Sequence, residues 1–199
     1  MKPVIKLIQL IILVIAFTAM FYSAFKIVKA EMLYKSALNH IEEGDASVAL
    51  DRIEGAINNN PQEPNYYRLR ARILLYTLLG QPNEVQTKIK ELVLADLQTA
   101  TKINPNNLVT ARNLVPLYYF LAAKDISVAA AADNVDPIYV QDARNFYTDV
   151  KNKYPNDVGV YALVAKYEKR LFLDEDYKQS VARVKELRPD LLDWYDSFR

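Results

Sequence analysis

The chain has 199 residues, with 25 basic and 24 acidic side chains and a formal charge of +1. Setting aside Lys2 and Lys6 leaves the acids in slight excess, which argues against a general nucleic-acid binder, since that needs a basic surface. Cysteine is absent and His40 is the one histidine, so disulfides, thiolate nucleophiles, sulfur-ligated zinc and His-rich metal sites are excluded.

Gly44, Gly55, Gly80 and Gly159 are the four glycines. They build no GxGxxG, P-loop or GxSxG motif, and no cofactor is implied. His40 falls at a packing or boundary position, with no nucleophile or metal cluster beside it. Glu42-Glu43 and Asp174-Glu175-Asp176 read as turn and helix-start charge.

Residues 7–25, LIQLIILVIAFTAMFYSAF, carry no charge. As a helix they span roughly 29 Å, close to the hydrocarbon thickness of a bilayer. Lys2 and Lys6 flank one side, Lys26 and Lys29 the other, and their long stems can reach the headgroups. Gln9, Thr18 and Ser23 are tolerable interruptions, because a helix satisfies its own backbone. A cleaved signal peptide has a shorter apolar region, although Val28-Lys29-Ala30 is a weak cleavage site. A core helix is seldom apolar all round. Length therefore favours an uncleaved membrane helix. Residues 1–29 are read as the anchor and 30–199 as a soluble repeat domain.

Between Val4 and Glu43 there is no proline or glycine. The spacing predicts one helix running from the membrane into the first repeat, about 60 Å long. A break at 26–31 is the alternative.

Beyond residue 30 apolar side chains recur at three and four, the helical period, and no strand is predicted. In 30–61, a first helix leads to Gly44-Asp45, a second helix and a stop at Asn60-Pro61. Gly44 supplies backbone freedom for the turn. Ala49, Ile53 and Ala56 share one face of the second helix, and Ala37 lets it come close to the first. The residue before proline avoids the helical region, which ends the unit.

Leu33, Ser36, Ala37, Gly44, Asp45, Ala49, Ile53, Ala56 and Pro61 make this stretch resemble a tetratricopeptide repeat (TPR). Ile53 stands where that family usually has an aromatic. Asn104-Pro105, Tyr154-Pro155 and Arg188-Pro189 end three later, degenerate units, of which only the last has the family period.

The second unit carries Tyr67 and Ala71, then an extended helix from about Asn83 to Ile103 with Leu97 and Ala100. The third has helices near 107–123 and 137–153, separated by the insertion KDISVAAAADNVD, a loop or a short helix. The fourth has Tyr161, Val164 and Ala165, then Val181 and Val184. Asn83, Asn107 and Asp157 are expected caps. Asp136-Pro137 is expected to start a helix, and Pro116 to kink one near Arg112. Residues 191–198, with Trp194 and Tyr195, should form a capping helix for the last repeat. The fold class expected is all-α: a transmembrane helix, then a TPR-like solenoid of about four repeats and a cap.

The resemblance implies that the first helix of each pair lines a concave, partner-binding face. Carried over unit by unit, those positions are Tyr34, Leu38 and Ile41; Asn65, Arg68, Arg72 and Tyr76; Arg112, Tyr119 and Phe120; and Lys166, Lys169 and Arg170. The set is basic and aromatic, which suits an acidic segment or a chain terminus. The ordinary reading of the same residues is solvated helix faces, with tyrosines packed between helices.

These features imply a non-catalytic, membrane-anchored interaction scaffold or assembly factor, like bacterial envelope proteins of this layout. It takes a protein or peptide partner, the bilayer through its helix, and no nucleic acid. The motif joined to a hydrophobic helix also resembles the tail of O-antigen ligase or polymerase-like membrane proteins, which implies a detached accessory piece of a glycan-handling enzyme. Lysine counts on the two sides of the span are nearly equal. The short basic amino terminus resembles a signal anchor, so the repeats are expected outside the cytoplasm.

Overall fold

The computed structural model describes residues 2–191. The chain divides into two compact units, Met1–Tyr66 and Tyr67–Arg199. Among the described residues there are eight α-helices, two short 3-10 turns and no sheet.

In the first unit, helix α1 (Lys2–Glu42) runs unbroken for 41 residues. The predicted continuity holds, and the alternative break at 26–31 does not occur. The expected division at residue 29 falls inside this helix. Residues 9–25 are all exposed, so the described residues do not bury the stretch as a core helix. By length and composition α1 is long and apolar enough to cross a membrane. Its polar interruptions are satisfied locally: the Thr18 hydroxyl donates to Val14 O at 2.8 Å and that of Ser23 to Ala19 O at 3.0 Å.

From Ala30 onward the same helix acquires a partner, α2 (Ala46–Asn59). The turn between them needs Gly44, whose φ is +84°. Asp45 then caps α2, its carboxylate accepting from Val48 N at 3.1 Å. Ala30, Ala37, Ala49, Ile53 and Ala56 are fully buried. Helix approach is close enough that a Cβ on Gly55 would meet Leu33 Cδ1 at 3.1 Å. His40 sits at the end of α1 with Nδ1 3.3 Å from the Glu43 carboxylate. Tyr66 is buried, and its hydroxyl donates to Glu31 at 2.6 Å.

Helix α3 (Pro64–Tyr76) leads into the second unit, which continues with α4 (Asn83–Ile103), α5 (Leu108–Leu121), α6 (Val140–Lys153), α7 (Val158–Arg170) and α8 (Asp174–Leu187). All four expected X-Pro boundaries hold. Asn60, Asn104, Tyr154 and Arg188 each cap the helix before a proline, with φ/ψ of −144/81, −134/71, −125/61 and −150/80°. This one conformation recurs because proline's ring excludes the helical region for its predecessor. Asn107 and Asp157 cap as expected, accepting from Thr110 N and Val160 N.

Two cap expectations fail. Asn83 is already helical and Pro82 holds the cap position without a side-chain bond. Helix α6 starts at Val140, three residues after Pro137. Asp136 instead closes a turn onto Ile138 N at 3.0 Å and binds Lys90 Nζ at 2.7 Å. Pro116 lies within α5, and the helix continues through it to Leu121.

The insertion is a loop with one 3-10 turn at Ala132–Asn134, closed at its neck by an antiparallel bridge between Ala123 and Val135. Lys90 is buried beneath that neck and also donates to Ala123 O at 2.7 Å. Two further ion pairs, each with a buried carboxylate, hold neighbouring helices. Arg70 of α3 grips Asp96 of α4 through two bonds of 2.9 and 2.6 Å. Lys151 of α6 donates to Glu168 of α7 at 2.6 Å and to Ser180 of α8 at 3.2 Å. The tail with Trp194 and Tyr195, from residue 192 on, lies outside the described residues.

Phe172 occupies the α7–α8 turn with φ of +57°, where the equivalent α1–α2 turn has Gly44. A bulky residue in this region is strained by about 1 kcal/mol or more. Phe172→Gly is expected to stabilise the protein by about 0.5 kcal/mol, the strain relief offsetting glycine's greater unfolded entropy. Urea unfolding with an unchanged slope and a raised midpoint would confirm it. A lowered midpoint would mean that the ring contributes more packing than its 46% exposure implies.

Candidate functional site

The candidate site in the second unit is built on α5 and α7, the first helices of the third and fourth pairs, which pack side by side. Lys166 and Arg170 are one turn apart, so both fall on one face of α7. Between them in sequence lies Tyr167, whose ring meets that of Tyr119 on α5 with centroids 5.3 Å apart. The Arg170 guanidinium lies 5.8 Å from the Tyr119 centroid and 5.7 Å from that of Tyr167. Lys166 Nζ lies 5.7 Å from the Tyr167 ring. Phe120 extends the aromatic floor, 5.1 Å from Tyr119 edge to face.

Geometry of this kind attracts each cation to the ring's negative face and restrains the long side chains. Tyr119 and Tyr167 are buried, so they form the floor, while Arg170 is exposed above them. Burial pushes the Tyr167 phenol above the ordinary tyrosine value, and the Arg170 charge opposes that rise. Tyr147 of α6 lies deeper, fully buried with its hydroxyl donating to Val115 O at 3.1 Å, and burial raises its phenol well above the ordinary range.

The other expected positions fall elsewhere. Arg112 is exposed near the start of α5, with its guanidinium against Gly159; a Cβ there would come within 2.9 Å of Nη2. On α3, Arg72 lies over Tyr76 at 5.6 Å, and both are exposed. Arg68 is half-buried, and its Nε has no hydrogen-bond partner among the described residues. Lys169 turns away from Arg170 and lies over Tyr177 of α8 at 5.8 Å. Asn65 is exposed, donating to Glu63. In the first unit, Tyr34, Leu38 and Ile41 are half-buried, and Tyr34 tilts against Tyr66 with centroids 5.3 Å apart.

Structure thus brings Tyr119, Lys166 and Arg170 together and adds Tyr167, which sequence reasoning missed. Its signal was present: Tyr167 precedes Arg170 by three residues, a spacing that puts both on one helix surface. The buried Glu168 and its half-buried partner Lys151 were also missed, because they lie in different helices. Among the described residues no three His, Cys, Asp or Glu side chains converge as a metal site would need.

No protein-family model matches the sequence, and no curated protein is significantly similar to it. Solved structures do match. One is TTC0263, a thermophilic TPR protein of Thermus thermophilus, with a TM-score of 0.57 and 16% identity over 85% of this chain and 80% of that one. Two crystal structures of MamA each give a TM-score of 0.52 at 12% identity. They cover 80% and 83% of this chain, and 78% and 76% of MamA.

The floor and the cations should separate on mutation. Tyr119→Ala is expected to cost about 2–4 kcal/mol, as loss of a buried aromatic does. Arg170→Ala is expected to stay within about 0.5–1 kcal/mol of the parent, since it removes one exposed cation–ring contact. Thermal or urea unfolding of the two variants reads the difference. An equally large loss for Arg170→Ala would make it a packing residue. Four helix pairs, the shared X-Pro caps and these neighbours together give the chain a TPR-like helical-repeat fold.

Proposed function

We propose that this chain is a membrane-anchored TPR-like scaffold that binds an acidic protein segment and carries out no chemistry. The observation that supports it most is the α5–α7 face, where Lys166 and Arg170 stand over the ring floor of Tyr119 and Tyr167. A helical-repeat surface of this type presents restrained cations beside apolar area, which matches a carboxylate-bearing segment. Arg112 and the Arg72–Tyr76 pair add charge and ring surface of the same kind on other first helices. Arg68 adds charge on α3, whereas Lys169, over Tyr177 of α8, does not share the α5–α7 face.

A photo-reactive amino acid placed at Arg72 should cross-link a protein partner in cells. The adduct should be lost when Lys166→Glu and Arg170→Glu are combined, and it should persist with Lys185→Glu on α8. Persistence with the paired change would overturn the α5–α7 assignment. Purified partner segment should bind more weakly as salt rises, because the contacts are charged and exposed.

In this reading the apolar part of α1 spans the membrane once and the repeats lie outside the cytoplasm. The exposed, uncharged surface of residues 9–25 supports the span, and the short basic amino terminus supports the orientation. With no native cysteine, Ser47→Cys gives a single thiol. An impermeant maleimide should label it in intact cells as well as after lysis. Labelling only after lysis would put the repeats on the cytoplasmic side.

A further inference from the structure

In the first unit, α1 and α2 are antiparallel about the Gly44 turn, with Leu33 level with Gly55. That register puts Ala30 level with Asn58 and sets the turn at residues 58–62 beside the end of the apolar stretch. This turn is amide-rich: Asn58, Asn59, Asn60, Pro61, Gln62. Asn58, Pro61 and Gln62 are exposed.

Lys26 precedes the buried Ala30 by four residues, so it shares the face that α2 covers one turn further on. It lies just beyond the end of α2, below the amide turn. Its ammonium is 5.4 Å from the Tyr22 ring, on the side of the apolar stretch. Lys29 is exposed at the same level. The two carboxylates at this level are already turned onto the protein's own donors. Glu31 accepts from Tyr66 at 2.6 Å, and Glu63 accepts from the Asn65 backbone and side chain at 3.1 and 2.7 Å. Asn59 donates its amide to Gly55 O at 2.7 Å and the Asn60 side chain bonds Tyr66, so what remains toward the apolar end of the unit is two ammonium groups, a tyrosine and the exposed amides of Asn58 and Gln62.

We propose that this base of the first helix pair is a platform for phospholipid headgroups, in which Lys26 and Lys29 take the phosphates and residues 58–62 lie against the headgroup layer. The proposal rests on the reading of α1 as a membrane span and extends it: the first pair is seated on the bilayer and not merely joined to it. An interfacial tyrosine beside lysines is the usual composition of a membrane boundary. Amide side chains both donate and accept, so they suit a layer of phosphate and ester oxygens without adding charge. The lysines give the platform a preference for anionic over zwitterionic lipid.

Full-length chain in vesicles of phosphatidylcholine and phosphatidylglycerol tests this, with one environment-sensitive dye per variant. Phe17→Cys reports the bilayer interior, Asn58→Cys the platform, and Ser47→Cys the far end of α2, about 17 Å further along its axis. A headgroup spin label should quench the dye at position 58 and leave position 47 nearly unaffected, while an acyl-chain spin label quenches position 17. Quenching at 17 with no difference between 58 and 47 would overturn the platform and leave the membrane span standing. No acyl-chain quenching at 17 would overturn the span itself. Lys26→Gln with Lys29→Gln should reduce the preference for spin-labelled phosphatidylglycerol over phosphatidylcholine, by about fivefold per lysine at most. An unchanged preference would remove the lysines from the site.

Discussion

Close approach of paired helices is the constraint on which the rest of this molecule depends. Fully buried alanines stand in the first three pairs, Ala30, Ala37, Ala49 and Ala56 in the first unit and Ala71, Ala100 and Ala143 in the second, and Ala165 is 1% exposed in the fourth. A methyl group lets two backbones come near enough for the larger neighbours to interdigitate, and any bigger side chain there would force them apart. Gly55 shows how little room is left, since even a Cβ would crowd Leu33. Apart from α1 and α4 the helices are 13 or 14 residues long, marginal alone, and so depend on this packing. The turn at Gly44, the caps and the aromatic floor therefore all depend on it.

Superimposed on that packing in the second unit are three ion pairs in which one partner is buried and the other half-buried, Arg70–Asp96, Lys90–Asp136 and Lys151–Glu168. Such a pair gains little net stability over apolar groups, but removing the half-buried partner is costly because Asp96, Lys90 or Glu168 would stay buried and charged. Such pairs act as register marks. Arg70 accepts one placement of α4, and Lys151 one placement of α7 and α8. Lys90 holds the neck of the insertion, where it also lies 5.3 Å from the Tyr139 ring. The insertion is thus a positioned element, although its tip residues Val128, Ala129 and Ala130 are exposed.

Helix α1 presents two kinds of surface on one backbone. From residue 9 to about residue 28 its apolar side chains are exposed, and from Ala30 onward one face is covered by α2, burying Ala30 and Ala37. A helix can change surroundings in this way because its hydrogen bonds are internal and do not depend on what lies around it. The absence of proline and glycine in between leaves no hinge. The first repeat and the apolar stretch therefore share an axis, which is what gives Lys26, Lys29 and the amide turn a defined level.

By itself the sequence determined the helical class, the four unit boundaries, the Gly44 turn, the caps at Asn107 and Asp157, and the continuity of α1. All of these are local: proline restricts its predecessor, a capping oxygen reaches three residues ahead, and periodicity is read within one helix. Only the tertiary structure decided that Tyr119 is floor and not rim, that Lys169 turns toward α8 while Lys166 and Arg170 share Tyr167, and that Asp136 serves Lys90 and not a helix start. Those outcomes depend on partners in other helices: Lys90 of α4 lies 46 residues from Asp136, Tyr119 of α5 meets Tyr167 of α7, and Lys169 of α7 meets Tyr177 of α8. Composition shows that a charge or a ring exists; which neighbour it meets depends on how the helices pack against one another, and no local rule contains that.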